Sequence, residues 1–225
     1  LADPDFLNKA KAGQLDDIDY CVGCDQGCLD GFADENCPQI TCLRNPAVGR
    51  ELECKIVKAE KPETVLVAGA GIAGLEAAIV LQQRGHQAIV CEASDKVGGQ
   101  FLTAGEAPRK GEMKAAVIAM GKKAARLGAD IRLNTPVTAE LIEEIKPHTV
   151  FNAIGATPII PNILGKDQKF VVNSHDVLNG LATPEGNVVV IGGGLVGLEV
   201  CEYLAEKGCK VTVLEMMKEC GADLG

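Results

Sequence analysis

The chain has 225 residues, of which 47% are hydrophobic, so it is long and apolar enough to bury a sizeable core. Its net charge of −9 argues against a nucleic-acid partner, because binding to a phosphate backbone needs a basic surface. No apolar run approaches the ~20 residues of a membrane span, and the amino-terminal LADPDFLNKAK lacks the pattern of a signal peptide. These features predict a globular, cytoplasmic protein without a membrane partner.

Residues 1–57 form an acidic segment without clear hydrophobic periodicity, and five of the ten cysteines of the chain lie between Cys21 and Cys42. The first three follow the spacing C-x2-C-x3-C, and Cys42 comes after a longer loop. In a cytosolic chain this density indicates a metal site rather than disulfides. Four thiolates suit zinc or an iron–sulfur cluster, and unligated thiols are a third alternative. We favour an iron–sulfur cluster, because zinc offers no redox chemistry beside the nucleotide sites that follow.

A charged linker, KAEKPE, leads into a strand predicted over 64–68, and a glycine fingerprint follows it directly. Gly69 permits the tight turn, Gly71 lets the backbone approach a pyrophosphate, and Gly74 allows the helix to pack closely on the strand. The pyrophosphate then lies at the helix amino terminus, where unpaired N–H groups favour negative charge. Glu92 closes the next strand, where a carboxylate can accept hydrogen bonds from an adenosine ribose.

Strands and helices alternate after this unit. The sequence VGGQ at 97–100 predicts another glycine-rich loop, and hydrophobic periodicity predicts the elements that follow. These are a helix over 112–127, a strand over 130–134, a helix over 139–145 and a strand over 149–154. The alternation predicts an α/β fold with a doubly wound parallel sheet.

A second fingerprint repeats the first in the same internal register, with Gly192, Gly194 and Gly197 as the glycines and Glu215 as the acid. A lone fingerprint is weak evidence, whereas two in one register predict two dinucleotide sites. A carboxylate at Glu215 favours the 2′-hydroxyl of NADH over the 2′-phosphate of NADPH, although Lys218 nearby softens that preference. Only one strand–helix–strand unit remains here, which predicts an incomplete second sheet.

Several segments together resemble one family of enzymes. They are DPDFLNKA, CVGCDQGCLD and CLRNPAVGRE in the cysteine segment, then VLVAGAGIAGLEAA, VGGQF, FNAIGATPIIP and VVVIGGGLVGLEV. In this order they resemble the carboxy-terminal part of the iron–sulfur flavoenzymes related to 2,4-dienoyl-CoA reductase, enoate reductase and trimethylamine dehydrogenase. These are NADH:flavin oxidoreductases of the old yellow enzyme type, and the resemblance covers essentially the whole chain.

The resemblance implies a [4Fe–4S] cluster held by four cysteines at matching places. They are Cys21, Cys24, Cys28 and Cys42. Cys37 lies in a loop that is slightly longer here than is usual in the family, and it remains an alternative fourth ligand.

The resemblance also implies FAD at the first fingerprint, or ADP, which trimethylamine dehydrogenase holds there. The implied FAD contacts are Gly69, Gly71, Ile72, Ala73 and Gly74, with Glu92 on the ribose, Gly99 and Gln100 near the flavin, and Gly155 at a strand exit. The implied NAD(H) contacts are Gly192, Gly194, Leu195, Val196 and Gly197, with Glu215 on the ribose. No catalytic side chain is assigned, because hydride transfer mainly requires alignment of the two rings.

The implied domains are an iron–sulfur segment over 1–57, an FAD-binding domain over 58–181 and the start of an NAD(P)-binding domain over 182–225. In the resembling enzymes NADH reduces FAD, the cluster relays single electrons, and FMN in a preceding barrel reduces a conjugated C=C bond. We therefore expect an electron-transfer fragment of a longer reductase, inactive alone on an organic substrate. Its expected partners are the nicotinamide nucleotide and the FMN barrel of its own parent chain, and a homo-oligomer is left open.

Two other functions remain open from the sequence. One is a pyridine-nucleotide reductase subunit of another flavoprotein system, such as the small subunit of glutamate synthase, which also has cysteines before two nucleotide folds. The other is a non-enzymatic, nucleotide-binding redox sensor built on a zinc or iron–sulfur site.

Overall fold

The computed structural model describes residues 1–35 and 39–222. The amino-terminal segment, up to residue 63, is largely irregular between its short helical pieces. Its helical pieces are α1 (Phe6–Lys11), a 3-10 turn (Leu15–Asp17) and α2 (Leu29–Ala33). Two hydrophobic side chains of this segment, Ile18 and Val48, are buried.

Strands and helices alternate from residue 64 onward. In chain order they are β1 (Thr64–Ala68), α3 (Ile72–Arg84), β2 (Gln87–Cys91), α4 (Gly99–Ala104), α5 (Gly111–Arg126), β3 (Asp130–Arg132), α6 (Ala139–Ile145), β4 (Thr149–Asn152), α7 (Ser174–Leu178), β5 (Asn187–Ile191), α8 (Leu195–Glu206) and β6 (Lys210–Leu214).

The chain divides into two compact units, and the first comprises Leu1–Phe101 and Glu112–Gly155. It contains a four-stranded parallel sheet in the order β3-β2-β1-β4. Leu66 of β1 pairs with Ile89 of β2 on one side and with Val150 of β4 on the other. The two central strands are buried along nearly their whole length. Buried apolar strands are characteristic of a parallel sheet covered by helices, so the predicted α/β fold is confirmed.

Helices α3 and α6 pack on this sheet through their apolar faces. Leu75 and Ala78 of α3 are fully buried, and α3 contacts both central strands. Leu141 and Ile145 of α6 pack against the core that includes Leu66. The sheet and its helices thus fix the carboxyl ends of β1 and β2, where the first glycine loop lies.

The second unit comprises Leu102–Gly111 and the chain from Ala156 onward. Strands β5 and β6 are parallel neighbours, and exposed residues alternate with half-buried ones along both. Val200 and Leu204 of α8 form a core together with Val177 and other residues of α7 and the loops. Up to residue 222, this unit therefore contains one strand–helix–strand repeat, as the sequence predicts.

Four element boundaries differ from the sequence predictions, and the smallest difference is at α5, which is shifted by one residue to Gly111–Arg126. Helix α4 begins at Gly99, so the predicted loop at 97–100 is shorter than expected. Strand β3 ends at Arg132, because Asn134 has a left-handed φ of 52° that interrupts an extended strand. Strand β4 ends at Asn152, whose side-chain oxygen accepts a hydrogen bond from the backbone N–H of Ile154 and turns the chain. The domain boundaries predicted from the sequence stay predictions.

Among the helices of residues 1–35 and 39–222, none combines the length and the apolar character that a bilayer crossing requires.

Candidate dinucleotide and metal sites

The first glycine loop joins β1 to α3 in a conformation that needs its glycines. Gly69 has a φ of +102°, a left-handed conformation that side chains disfavour. A Cβ on Gly74 would overlap the carbonyl oxygen of Gly69, so this glycine lets α3 lie directly against the end of the strand. A Cβ on Gly71 would meet nothing within 4 Å, so this face of the loop is open. The open face and the free N–H groups at the start of α3 form a cradle that fits a pyrophosphate.

The carboxylate of Glu92 braces this loop from the end of β2. Its Oε2 accepts a 2.7 Å hydrogen bond from the backbone N–H of Ala70, and its Oε1 accepts bonds of 2.9 Å from the N–H and the hydroxyl of Ser94. Burial alone would raise the pKa of Glu92, but these hydrogen bonds outweigh it and lower the pKa. Glu92 is therefore ionised at neutral pH, and a carboxylate has room for further donors such as ribose hydroxyls.

The other predicted residues of the first site lie around the same loop. Ile72 and Ala73 form the exposed first turn of α3. Gly99 has a φ of +53°, and a Cβ there would lie 3.2 Å from the Cα of Gly71. The structure therefore brings the start of α4 against the glycine loop, with Gln100 next along that helix. Gly155, with a φ of +76°, follows β4, which is the neighbour of β1 in the sheet.

The second glycine loop repeats this geometry between β5 and α8. Gly192 has a φ of +105°, and a Cβ on Gly197 would overlap the carbonyl oxygen of Gly192. Gly194 precedes the helix as Gly71 does, with nearly the same backbone angles. The exposed residues Leu195 and Val196 begin α8.

Glu215 braces the second loop as Glu92 braces the first. It accepts hydrogen bonds of 2.7 Å from the backbone N–H of Met217 and of 2.6 Å from that of Gly193. These two bonds lower the pKa of Glu215, so the carboxylate is ionised at neutral pH. A cleft of about 290 Å³ adjoins this acid and is lined also by Gly194 and Glu219. Its acidic lining suits the hydroxyls of a ribose better than a further phosphate.

The cysteine segment is organised by a close crossing of two stretches of backbone. The N–H of Thr41 donates a 2.7 Å hydrogen bond to the carbonyl of Gly27, and a Cβ on Gly27 would lie 2.5 Å from the hydroxyl of Thr41. A Cβ on Gly31 would overlap the carbonyl of Gln39. The residues preceding the third and fourth predicted ligands are therefore hydrogen-bonded to each other, which places the backbone of Cys42 next to that of Cys28.

The predicted thiols are free and accessible. Cys21 is exposed, Cys24, Cys28 and Cys42 are half-buried, and none of the four is in a disulfide. Thiolates on loops of this kind are a donor set that fits iron or zinc. Within residues 1–35 and 39–222, no three histidine, cysteine or carboxylate side chains already surround a common metal position. The ligand set stays a prediction, and the alternative ligand Cys37 lies outside the described residues.

A charged cluster beside the cysteine segment was missed by the sequence reasoning. Asp19 binds both Arg44 and Lys123, and Glu76 of α3 lies within their electrostatic reach. Burial raises the pKa of Glu76, and the nearby cations offset only part of that effect. These four residues are far apart in the sequence, so they have no spacing that a sequence pattern could detect.

A family model described as pyridine nucleotide-disulphide oxidoreductase matches residues 65–224, which include both glycine loops and both bracing acids. The chain therefore belongs to the pyridine nucleotide-disulphide oxidoreductase family. This result confirms the predicted relationship to NAD(P)H-dependent flavin oxidoreductases.

The chain is also similar to named enzymes over nearly its whole length. It is 41% identical over 219 residues to bilirubin reductase of Mediterraneibacter gnavus, a match that covers 97% of this chain and 34% of the relative. It is 38% identical over 229 residues to NADH oxidase of Thermoanaerobacter brockii, covering 100% of this chain and 35% of the relative. A solved structure of 2-naphthoyl-CoA reductase with 2-naphthoyl-CoA superposes with a TM-score of 0.94 at 34% identity, covering 100% of this chain and 34% of that one.

The chain thus spans about a third of the length of the relatives it matches. The resemblance predicted from the sequence motifs is confirmed by these relatives.

Proposed function

We propose that this chain is the electron-transfer portion of a longer oxidoreductase. In this proposal NADH supplies hydride, FAD accepts it, and a [4Fe–4S] cluster relays single electrons to FMN in a barrel that reduces a conjugated C=C bond of the enoate or dienoyl-CoA type.

The observation that carries the proposal is the pair of glycine loops, each braced by a carboxylate from the end of the next strand. The two braces have nearly equal lengths, 2.7 Å at Ala70 and 2.6 Å at Gly193. A glycine loop between strand and helix with an acid at the end of the next strand is the arrangement of a dinucleotide-binding unit. Two such loops in one chain support two bound nucleotides, as transfer between two cofactors requires.

At the first loop, Gly71, Ile72, Ala73 and Gly74 would present backbone N–H groups to the FAD pyrophosphate, and Glu92 would accept the ribose hydroxyls. Gly99 and Gln100 would bound the flavin side, because the start of α4 already lies against Gly71. The absence of a Cβ at Gly155 would leave space where the chain leaves β4. The same loop fits ADP, which shares the pyrophosphate and ribose with FAD.

At the second loop, Gly192, Gly194, Leu195, Val196 and Gly197 would hold NAD(H) in the same way. Glu215 would accept the 2′-hydroxyl of its adenosine ribose, and its negative charge would repel a 2′-phosphate. The loop backbone and Glu215 would bind and orient the nucleotide, and neither would exchange a proton with it.

The similarity to relatives along the whole of this chain supports a role for the cysteine segment in the same electron-transfer unit as the two glycine loops. The family model begins at residue 65, whereas the match to 2-naphthoyl-CoA reductase covers the whole chain, residues 1–57 included. Two of the three relatives described above are reductases by name. This pattern favours a reductase with a thiol-bound centre over a zinc sensor.

Cofactor content tests the proposal. The chain would be purified without oxygen, and flavin, iron, acid-labile sulfide and zinc would be measured per chain. We expect flavin or ADP at one site and iron with sulfide in a four-to-four ratio, as a [4Fe–4S] centre requires. Zinc at one equivalent with no sulfide would support the sensor instead.

A further inference from the structure

Asp19 is a carboxylate shared by two cations from distant parts of the chain. Its Oδ2 accepts a 2.7 Å hydrogen bond from Lys123 Nζ, and its Oδ1 accepts a 3.0 Å bond from Arg44 Nη2. The side chain of Arg44 is only 8% exposed, so this guanidinium is held in a fixed position. Ion pairs that are partly withdrawn from water are stronger than surface pairs and order the groups they join.

Arg44 joins the backbone before the first predicted ligand to the backbone after the fourth. Its Nε donates a 3.3 Å hydrogen bond to the carbonyl of Tyr20, the residue directly before Cys21, while its Nη2 binds Asp19. Arg44 itself lies two residues after Cys42. One planar side chain therefore connects the backbone beside the first predicted ligand to that beside the fourth.

Helix α5 contacts the cysteine segment through two basic residues that lie about one turn apart. Lys123 binds Asp19, and Arg126 forms an ion pair with Asp17. Residues three apart on a helix lie on the same face, so both basic side chains reach the same stretch of the segment. The helix is itself anchored, because Val117 and Ala124 are fully buried in the first unit.

We propose that Asp19, Arg44 and Lys123 form a positioning site that clamps the cysteine segment onto α5. The part of this inference that concerns a bound cluster rests on the proposed function, whereas the clamp itself does not. The clamp fixes where the thiols lie relative to the first nucleotide domain. Arg44, which lies two residues after Cys42, also brings a positive charge to that end of the predicted ligand set, and positive charge makes an anionic centre easier to reduce.

The test compares Lys123→Gln with Lys122→Gln, which removes the same charge from an exposed neighbour on α5. The readout is hydrogen exchange of the backbone amides in residues 17–21 and 42–45, which tests the clamp whether or not a metal is bound. We expect Lys123→Gln to accelerate exchange in 17–21 by about fivefold, the effect of losing a partly buried ion pair, and Lys122→Gln to leave it unchanged. Equal exchange in the two variants overturns the clamp.

The second readout is the midpoint potential of the centre in chains that retain full iron. We expect Lys123→Gln and Arg44→Gln to lower the potential, with the larger shift for Arg44→Gln, and Lys122→Gln to match the unaltered chain. A potential that is unchanged in both clamp variants overturns the positioning role. If the unaltered chain holds no iron and sulfide, the proposed function fails, while the exchange experiment still decides the clamp.

Discussion

The backbone N–H of Ala70 donates a 2.7 Å hydrogen bond to the carboxylate of Glu92, and this bond ties the first glycine loop to the end of the neighbouring strand. The second loop repeats the bond between Gly193 and Glu215, again across 22 residues. The acid of each fingerprint therefore stabilises the loop of the protein itself. Its proposed contact with a ribose is an addition to that role, because a carboxylate can accept several hydrogen bonds.

Replacing Glu92 with Gln should destabilise the first unit at neutral pH. Because the folded pKa of Glu92 is lowered, its ionised form contributes stability above the ordinary pKa of 4.5, and this contribution is lost as pH falls through the folded pKa. We expect a loss of about 1 kcal/mol at pH 7, after discounting for solvent screening. Urea unfolding at pH 7 and pH 3 measures the effect, with the exposed Glu143→Gln as the control. An equal loss at both pH values would show that the charge is not responsible.

Glu76→Gln should have the opposite effect and stabilise the first unit at neutral pH. The folded pKa of Glu76 is raised by burial, so its stability contribution is present below the ordinary pKa of 4.5 and is lost as pH rises through the folded pKa. We therefore expect the free energy of unfolding to be higher for Glu76→Gln than for the unaltered chain at pH 7 and equal at acid pH. The same urea series checks it, and a destabilised variant at pH 7 would mean that the pairing with Lys123 outweighs burial.

Gly71→Ala should remove the flavin while leaving the fold intact. A Cβ at this position meets no protein atom within 4 Å and the φ of −72° suits alanine, so the methyl group occupies only the face that we assign to the pyrophosphate. Gly111→Ala is the matched control, because a Cβ at Gly111 also meets nothing within 4 Å. We expect bound flavin to fall by at least about tenfold in Gly71→Ala, as loss of ~1.4 kcal/mol implies. Flavin retained equally by both variants would place the cofactor elsewhere.

Patterns that depend on neighbouring residues were predictable, and those that depend on distant pairing were not. The bounds of β1 and α6 match the sequence predictions, because an apolar run and a capped amphipathic stretch determine them locally. The shortened β3 depends on the conformation of Asn134, which donates its N–H to the distant carbonyl of Ser94. The clamp at Asp19 depends on a partner more than 100 residues away, at Lys123.

Cys42→Ser should lower the iron content of the anaerobic chain to background, whereas the exposed Cys54→Ser should not change it. Losing one of four thiolates opens the centre to solvent and to oxidation. Cys37→Ser decides the fourth ligand. If Cys37→Ser loses the iron and Cys42→Ser keeps it, then Cys37 is the ligand and our assignment of Cys42 is wrong.

The second loop should bind NADH more tightly than NADPH. The ionised Glu215 accepts a hydroxyl but repels a phosphate, so we expect the Kd for NADPH to exceed that for NADH by about fivefold or more. Glu215→Gln should narrow that difference without reversing it, as fluorescence titration with each nucleotide would show. Tighter binding of NADPH by the unaltered chain would contradict the assignment of Glu215.

In the function proposed above, this chain takes electrons from NADH and holds them on a flavin and a thiol-bound centre. An anaerobic titration with NADH, followed by visible absorbance and by electron paramagnetic resonance, tests it most directly. We predict that flavin absorbance bleaches and that a reduced iron–sulfur signal then appears in the same chain. A chain that binds NADH without any loss of visible absorbance, or that contains only zinc, would contradict the account.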